Sequence, residues 1–146
     1  MTSPEGVGLT LESAVRLAGL GQLALALASL AIPRVLRWRE ETARLRPLVR
    51  QLFWIYSAYI LGFHVAFGLL SALRPLWLLD GSGLAAAVCG FVAVYWGARL
   101  VLQFAYLDRS DAPRGARFRA AEAALVTLFV VLVATYSAAF VANVGR

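Results

Sequence analysis

The sequence predicts an all-α integral membrane protein, an antiparallel bundle of four transmembrane helices forming one domain over residues 1–146. Three observations carry this expectation. The 146 residues are 61% hydrophobic and 15% charged, with a mean hydropathy of +0.74. Soluble domains are nearer half apolar and a quarter charged, and a chain this short has too little interior to hide the surplus. Four stretches approach the roughly 20 apolar residues that cross a bilayer, and turn or breaker residues separate them. Intrinsic disorder is excluded, because it requires low hydrophobicity. A disulfide framework is excluded by a single cysteine, Cys89.

The first span is expected at about 9–32, rich in Ala and Leu and stopped by Pro33. The second, 51–73, carries no charge and lies between Pro47 and Pro75. The third, 83–107, follows the turn cluster Asp80-Gly81-Ser82-Gly83 and is interrupted only by Arg99. The fourth, about 120–144, is uncharged from Ala123 to Gly145, and Asp108 to Gly115 separates it from the third. Backbone groups in hydrocarbon must be paired within their own segment, so these stretches are helices. Barrel strands would be half as long and would alternate with period two. A cleaved signal peptide over the first span is disfavoured. The residues before Arg16 are acidic, with Glu5 and Glu12, and cleavage near Ala26-Leu27-Ala28 would export the Arg-rich segment behind it.

The net charge of +6 comes from fourteen arginines and no lysine. Arg-only usage reads as the codon bias of a GC-rich genome, and no nucleic-acid partner is expected. Position is more informative than number. Arg34, Arg37, Arg39, Arg44, Arg46 and Arg50 lie between spans one and two; Arg109, Arg114, Arg117 and Arg119 lie between three and four. The remaining connection has only Arg74, and the C-terminus only Arg146. The positive-inside rule then puts both Arg-rich connections in the cytoplasm and both termini outside, in a plasma membrane of the bacterial inner-membrane kind. Trp38 and Trp54 are expected at the inner face and Trp77 at the outer. Segment 34–50 has two readings: a linker that fixes topology, or a basic, Trp-bearing stretch that lies on the inner leaflet and attracts anionic lipid.

Few residues in the spans carry chemistry. His64, the only histidine, shares a stripe with Ser57, Gly68 and Ser71, and a small, polar stripe faces other helices. Phe53, Ile60 and Phe67 on the other side are expected toward lipid. His64 is read as a proton relay, a haem ligand or a substrate contact, or as a packed side chain bonded to Gln22. Haem finds no second axial histidine. Arg99 is the most costly residue, roughly 2.5–3.5 kcal/mol at mid-span. Tyr95, Arg99, Gln103 and, loosely, Tyr106 form one polar stripe. It suits a site for a lipid phosphate or substrate carboxylate, an ion pair with Glu122, or snorkelling. Glu122 also suits the first turn of a helix on dipole grounds alone. Cys89 reads as a small buried hydrophobe. Glu12 and Arg16 are spaced as a helical ion pair. Tyr56-Ser57-Ala58 and Tyr136-Ser137-Ala138 match, but at different depths, so no internal repeat is inferred.

No Walker A, GxSxG, HExxH or CxxC motif is present, and no cluster suggests a metal site or names a cofactor. Three function classes follow. The leading one is a non-enzymatic accessory or assembly protein working through helix and lipid contacts. The others are a small homo-oligomeric transporter or channel, and a membrane enzyme or enzyme subunit acting on a lipid, quinone or isoprenoid. The expected partners are the bilayer, an anionic lipid at Arg99 or at 34–50, and a second copy or another membrane subunit. A packed, dry interior points to the accessory class, a water-filled groove on an oligomer axis to transport, and a cavity reaching both His64 and the Arg99 stripe to the enzyme.

Overall fold

The computed structural model describes residues 10–107, 110 and 115–145, and all regular structure among them is helical. Glu5, Asp108, Arg109, Arg114 and Arg146 lie outside the described residues, as does the start of the expected first span at residue 9. The helices are α1 (Leu11–Ser29), α2 (Ile32–Val35), α3 (Trp38–Ala43), α4 (Pro47–Leu73), α5 (Gly83–Ala105) and α6 (Ala116–Val144), with a 3-10 turn at Pro75–Leu78. Four stretches are long and apolar enough to cross a membrane: Leu11–Val35, Pro47–Leu73, Gly83–Ala105 and Ala116–Val144.

Local chemistry moves several boundaries from their expected places. Pro47 is the first residue of α4 rather than a stop before it. Its fixed φ suits a helical first turn, where the missing N–H is not needed. The helix therefore starts ahead of residue 51 and takes in Leu48, Val49 and the charged Arg50. Pro33 likewise sits in the first turn of α2. Between α2 and α3 the chain turns at Arg37, which holds a left-handed conformation with φ 49° and ψ 42°. Segment 34–50 thus comprises the end of α2, a corner, α3 and the first turn of α4. Helix α6 begins at Ala116, before residue 120, because Arg117 and Arg119 are good helix formers and extend it beyond its apolar part. At the other connection, Ser82 caps α5 by accepting from the Ala85 N–H at 3.0 Å. Hydrogen bonds from Ser82 also hold the exposed Asp80 carboxyl below the usual carboxylate range. The Glu12–Arg16 pair forms at 3.1 Å.

Helix α1 packs along α4, α6 along α5, and α1 against α6. The α1–α4 contact is the tightest. A Cβ on Gly19 would lie 2.5 Å from the Ala72 amide nitrogen and 2.8 Å from the Gly68 carbonyl oxygen. Helices α4 and α5 instead meet through rings. Phe63 lies 4.3 Å from Tyr95 and 5.8 Å from Phe91 between centroids, and Phe67 packs on Phe63 at 4.4 Å. Phe67 therefore fills this seam, against the expectation that it faces lipid. The α4 rings need a flat surface, and Phe91 and Tyr95, one turn apart on α5, supply it.

In the half of the molecule away from the Arg-rich connections, Val15, Gln22, Ser71, Leu132 and Tyr136 are fully buried. Gln22 Nε2 donates to the Tyr136 hydroxyl at 2.5 Å, and that hydroxyl also bonds Ser71 Oγ. Beyond them Asn143 closes the end. Its Nδ2 donates to the Leu78 carbonyl at 2.8 Å, and its Oδ1 accepts from the Gly81 N–H at 2.9 Å. Tyr136 is wholly buried while Tyr56 is mostly exposed, so the matched tripeptides occupy unlike environments.

Candidate functional site: a cavity between His64 and Arg99

The half nearer the Arg-rich connections is not filled. A cavity of about 410 Å³ lies among α1, α4, α5 and α6, with α2 and α3 at its rim. Its walls are mostly apolar, including Leu25, Ile60, Leu61 and Leu125, and its polar side chains include Ser29, Ser57, His64 and Arg99. Trp96 and Phe129 form an aromatic floor, with centroids 5.2 Å apart. Trp38 and Trp54 line the end nearer the arginines. Trp38 is held there by edge contacts to Phe53 and Trp54 at 4.8 and 5.9 Å.

The register explains what His64 meets. Gly19 lies against Ala72 and Leu23 against Gly68, so α1 numbering rises as α4 numbering falls. Continuing that register puts Leu25, not Gln22, near the level of His64. Gln22 is level with Tyr136 and bonds it, so the expected His64–Gln22 bond does not form. His64 Nε2 instead shares a 3.0 Å hydrogen bond with the Tyr95 hydroxyl, and its ring stacks on Trp96 at 4.9 Å. Along the predicted stripe, Gly68 and Ser71 pack against α1 and α6, while Ser57 and His64 face the cavity.

Tyr95, Arg99 and Gln103 do share a face of α5, but they act in different directions. Tyr95 serves His64. Arg99 donates from Nη1 to Gln103 Oε1 at 3.1 Å, and Gln103 Nε2 donates to Glu122 Oε1 at 3.3 Å. Gln103 is buried and stands between the two charges, so Arg99 reaches Glu122 through an amide and not by direct contact. The guanidinium also covers the Phe129 ring at 5.2 Å. Tyr106 is exposed and leaves the stripe.

Neither a protein-family model, nor a curated protein, nor a solved structure matches the chain. What it does is therefore argued from the cavity alone. Among the described residues no group of three or more His, Cys, Asp or Glu could hold a metal ion. Cys89 is buried, and its thiol donates to the Leu78 carbonyl at 3.4 Å, well apart from His64.

Of the polar residues singled out in the sequence, Ser57, His64 and Arg99 line the cavity and Tyr95, Gln103 and Glu122 do not, while Ser29 and the aromatic walls were not singled out. Trp96 and Phe129 have no signature, because an aromatic residue in an apolar span looks the same whether it lines a cavity or meets lipid. Trp38 and Trp54 read only as interfacial anchors. A usable signal was present in Phe63, Phe67, Phe91 and Tyr95, two ring pairs at i,i+4 spacing that mark a seam held apart by side chains.

Proposed function

We propose that the chain is a multi-pass plasma-membrane protein, an antiparallel four-helix bundle with both termini outside, that works as an accessory protein by holding a lipid-derived molecule. The observation that carries the reading is a mostly apolar chamber among the four long helices at the Arg-rich end. In the far half the buried Gln22–Tyr136–Ser71 layer closes the middle of the bundle, and the hollow of about 390 Å³ there lies beside the exposed Trp77 and Leu84. The positive-inside rule puts that end at the cytoplasmic leaflet. Lipid chains in that leaflet are the nearest molecules of matching polarity. A mostly apolar chamber with a few convergent polar groups is the usual form of a ligand site. A path through one protomer is disfavoured by the buried Gln22–Tyr136–Ser71 layer, which argues against the transport reading. One observation favours a second reading, chemistry on the bound molecule: His64, a titratable group hydrogen-bonded to Tyr95 behind it, lines the same chamber.

Filling the chamber tests the first reading. Ser57→Trp is expected to remove most of the lipid that copurifies with the wild type, measured by mass spectrometry of the extracted protein, while thermal stability changes little. Unchanged lipid recovery from a folded Ser57→Trp variant would refute it. The orientation has its own test. Ser110→Cys is expected to resist a membrane-impermeant thiol reagent in intact cells, and Leu76→Cys to react. The reverse pattern would invert the topology and place the chamber in the outer leaflet.

A further inference from the structure

The feature that the cavity alone does not explain is Arg99. Its side chain is half-buried, one helical turn from the Trp96 floor, and lines the chamber. A guanidinium carries five N–H donors. One of them bonds Gln103, and among the described residues no carboxylate lies in ion-pair contact with this group. The Phe129 ring occupies one face of the plane, leaving the edge for a ligand. A cation at this depth without an anion is unfavourable by a few kcal/mol. The nearest carboxylate, Glu122, is kept one amide away by Gln103.

We infer that the missing anion belongs to the ligand: the cavity takes a long-chain amphiphile with one anionic headgroup, a carboxylate or a phosphate monoester, seated on the edge of Arg99. This rests on the proposed lipid-holding role and gives the ligand its chemistry. Both headgroups present two oxygens that match the guanidinium fork, and bidentate contacts of this kind are among the stronger hydrogen bonds. The apolar walls contributed by Leu25, Ile60, Leu61 and Leu125 receive the first carbons of the chain. The remainder leaves past Trp38 and Trp54 toward the leaflet from which it came. His64 lines the chamber with its Nε2 engaged by Tyr95, and supplies no counter-charge.

Three of the four tryptophans line the chamber, and Trp77 lies outside it, so fluorescence reports occupancy directly. The full chain in phosphatidylcholine nanodiscs would be titrated with a dibrominated C18 fatty acid, the corresponding alkyl phosphate and the corresponding alcohol, all of which quench nearby indoles. We expect the acid, the phosphate or both to quench at least about tenfold lower concentration than the alcohol, a factor worth one good charge-assisted contact. Which of the two is tighter identifies the headgroup. Arg99→Gln is expected to bring the anionic probe to the level of the alcohol, and Arg99→Lys to recover part of the preference. Equal quenching by all three probes in the wild type would overturn the anionic headgroup while leaving the lipid-holding role in place, and would make Arg99 a snorkelling residue. No quenching by any probe would overturn both. Because the wild-type comparison decides the matter, a variant that fails to fold does not remove the test.

Discussion

Gly19→Ala is expected to be the most destabilising single-methyl change among the described glycines within helices. A Cβ at that position meets the Ala72 amide nitrogen at 2.5 Å, the Gly68 carbonyl oxygen at 2.8 Å and Ser71 Cβ at 2.8 Å. Two of these are backbone atoms, so no side-chain rotation relieves the clash and α1 must move off α4. Membrane helices associate by close packing at small residues rather than by a hydrophobic force between them, so lost contact along this seam is not recovered elsewhere. Overpacking of this kind usually costs about 1–3 kcal/mol, and Gly19→Leu should prevent folding. Gly68→Ala should be milder, because its nearest contacts at 2.9 Å are the flexible end of Leu23. Gly62→Ala is the control: nothing lies within 4 Å, and alanine is the better helix former. Thermal unfolding in detergent should rank the three as Gly62→Ala, Gly68→Ala, Gly19→Ala in falling stability. A Gly19→Ala protein as stable as the wild type would mean that α1 and α4 do not pack in this register.

That seam shows where sequence reading succeeds and where it stops. The four apolar stretches are legible because each must be long enough and dry enough, properties that composition measures directly. The stripe holding Gly68 and Ser71 is legible too, since small residues at helical spacing mark a face that meets another helix. The partner helix is not. Gly68 and Ala72 are spaced four apart, the pattern of close helix approach, but α1 offers Val15, Ala18, Gly19, Gln22 and Ala26 as a smooth small-residue face with several acceptable registers. Choosing the wrong one slides Gln22 to His64. The cavity is harder still. It lies where α4 and α5 meet through Phe63, Phe67 and Tyr95, and where α1 and α6 contribute Leu25, Ser29, Leu125 and Phe129 to the walls without filling the space. A void is a property of four helices together, and no single stretch of sequence encodes it. Arg99 was legible as costly, and the proximity of Glu122 was legible from depth. The intervening position of Gln103 depends on the rotation of α6 about its axis, which the uncharged stretch from Ala123 onward does not specify.

Tyr136→Phe should be the most damaging removal of a single polar atom. The hydroxyl bonds both Gln22 and Ser71, and all three residues are fully buried. Losing it leaves two polar groups in the interior without that partner. Hydrogen bonds between membrane helices are worth about 0.6 kcal/mol on average and up to about 1.7, while a stranded buried group costs about 1–3 kcal/mol. The change should therefore destabilise by about 1–3 kcal/mol, visible as a lower midpoint of thermal unfolding. The same asymmetry predicts a recovery. Replacing every member of a buried polar set by apolar groups of like shape is far less harmful than removing one. Gln22→Leu also eliminates Gln22 Oε1, which has no hydrogen-bond partner among the described residues. The triple variant Gln22→Leu, Ser71→Ala, Tyr136→Phe should accordingly be more stable than Tyr136→Phe alone. If instead the three losses add, the hydroxyl is not shared as the structure draws it, and the layer that closes the far half of the molecule is held by packing of the Tyr136 ring alone.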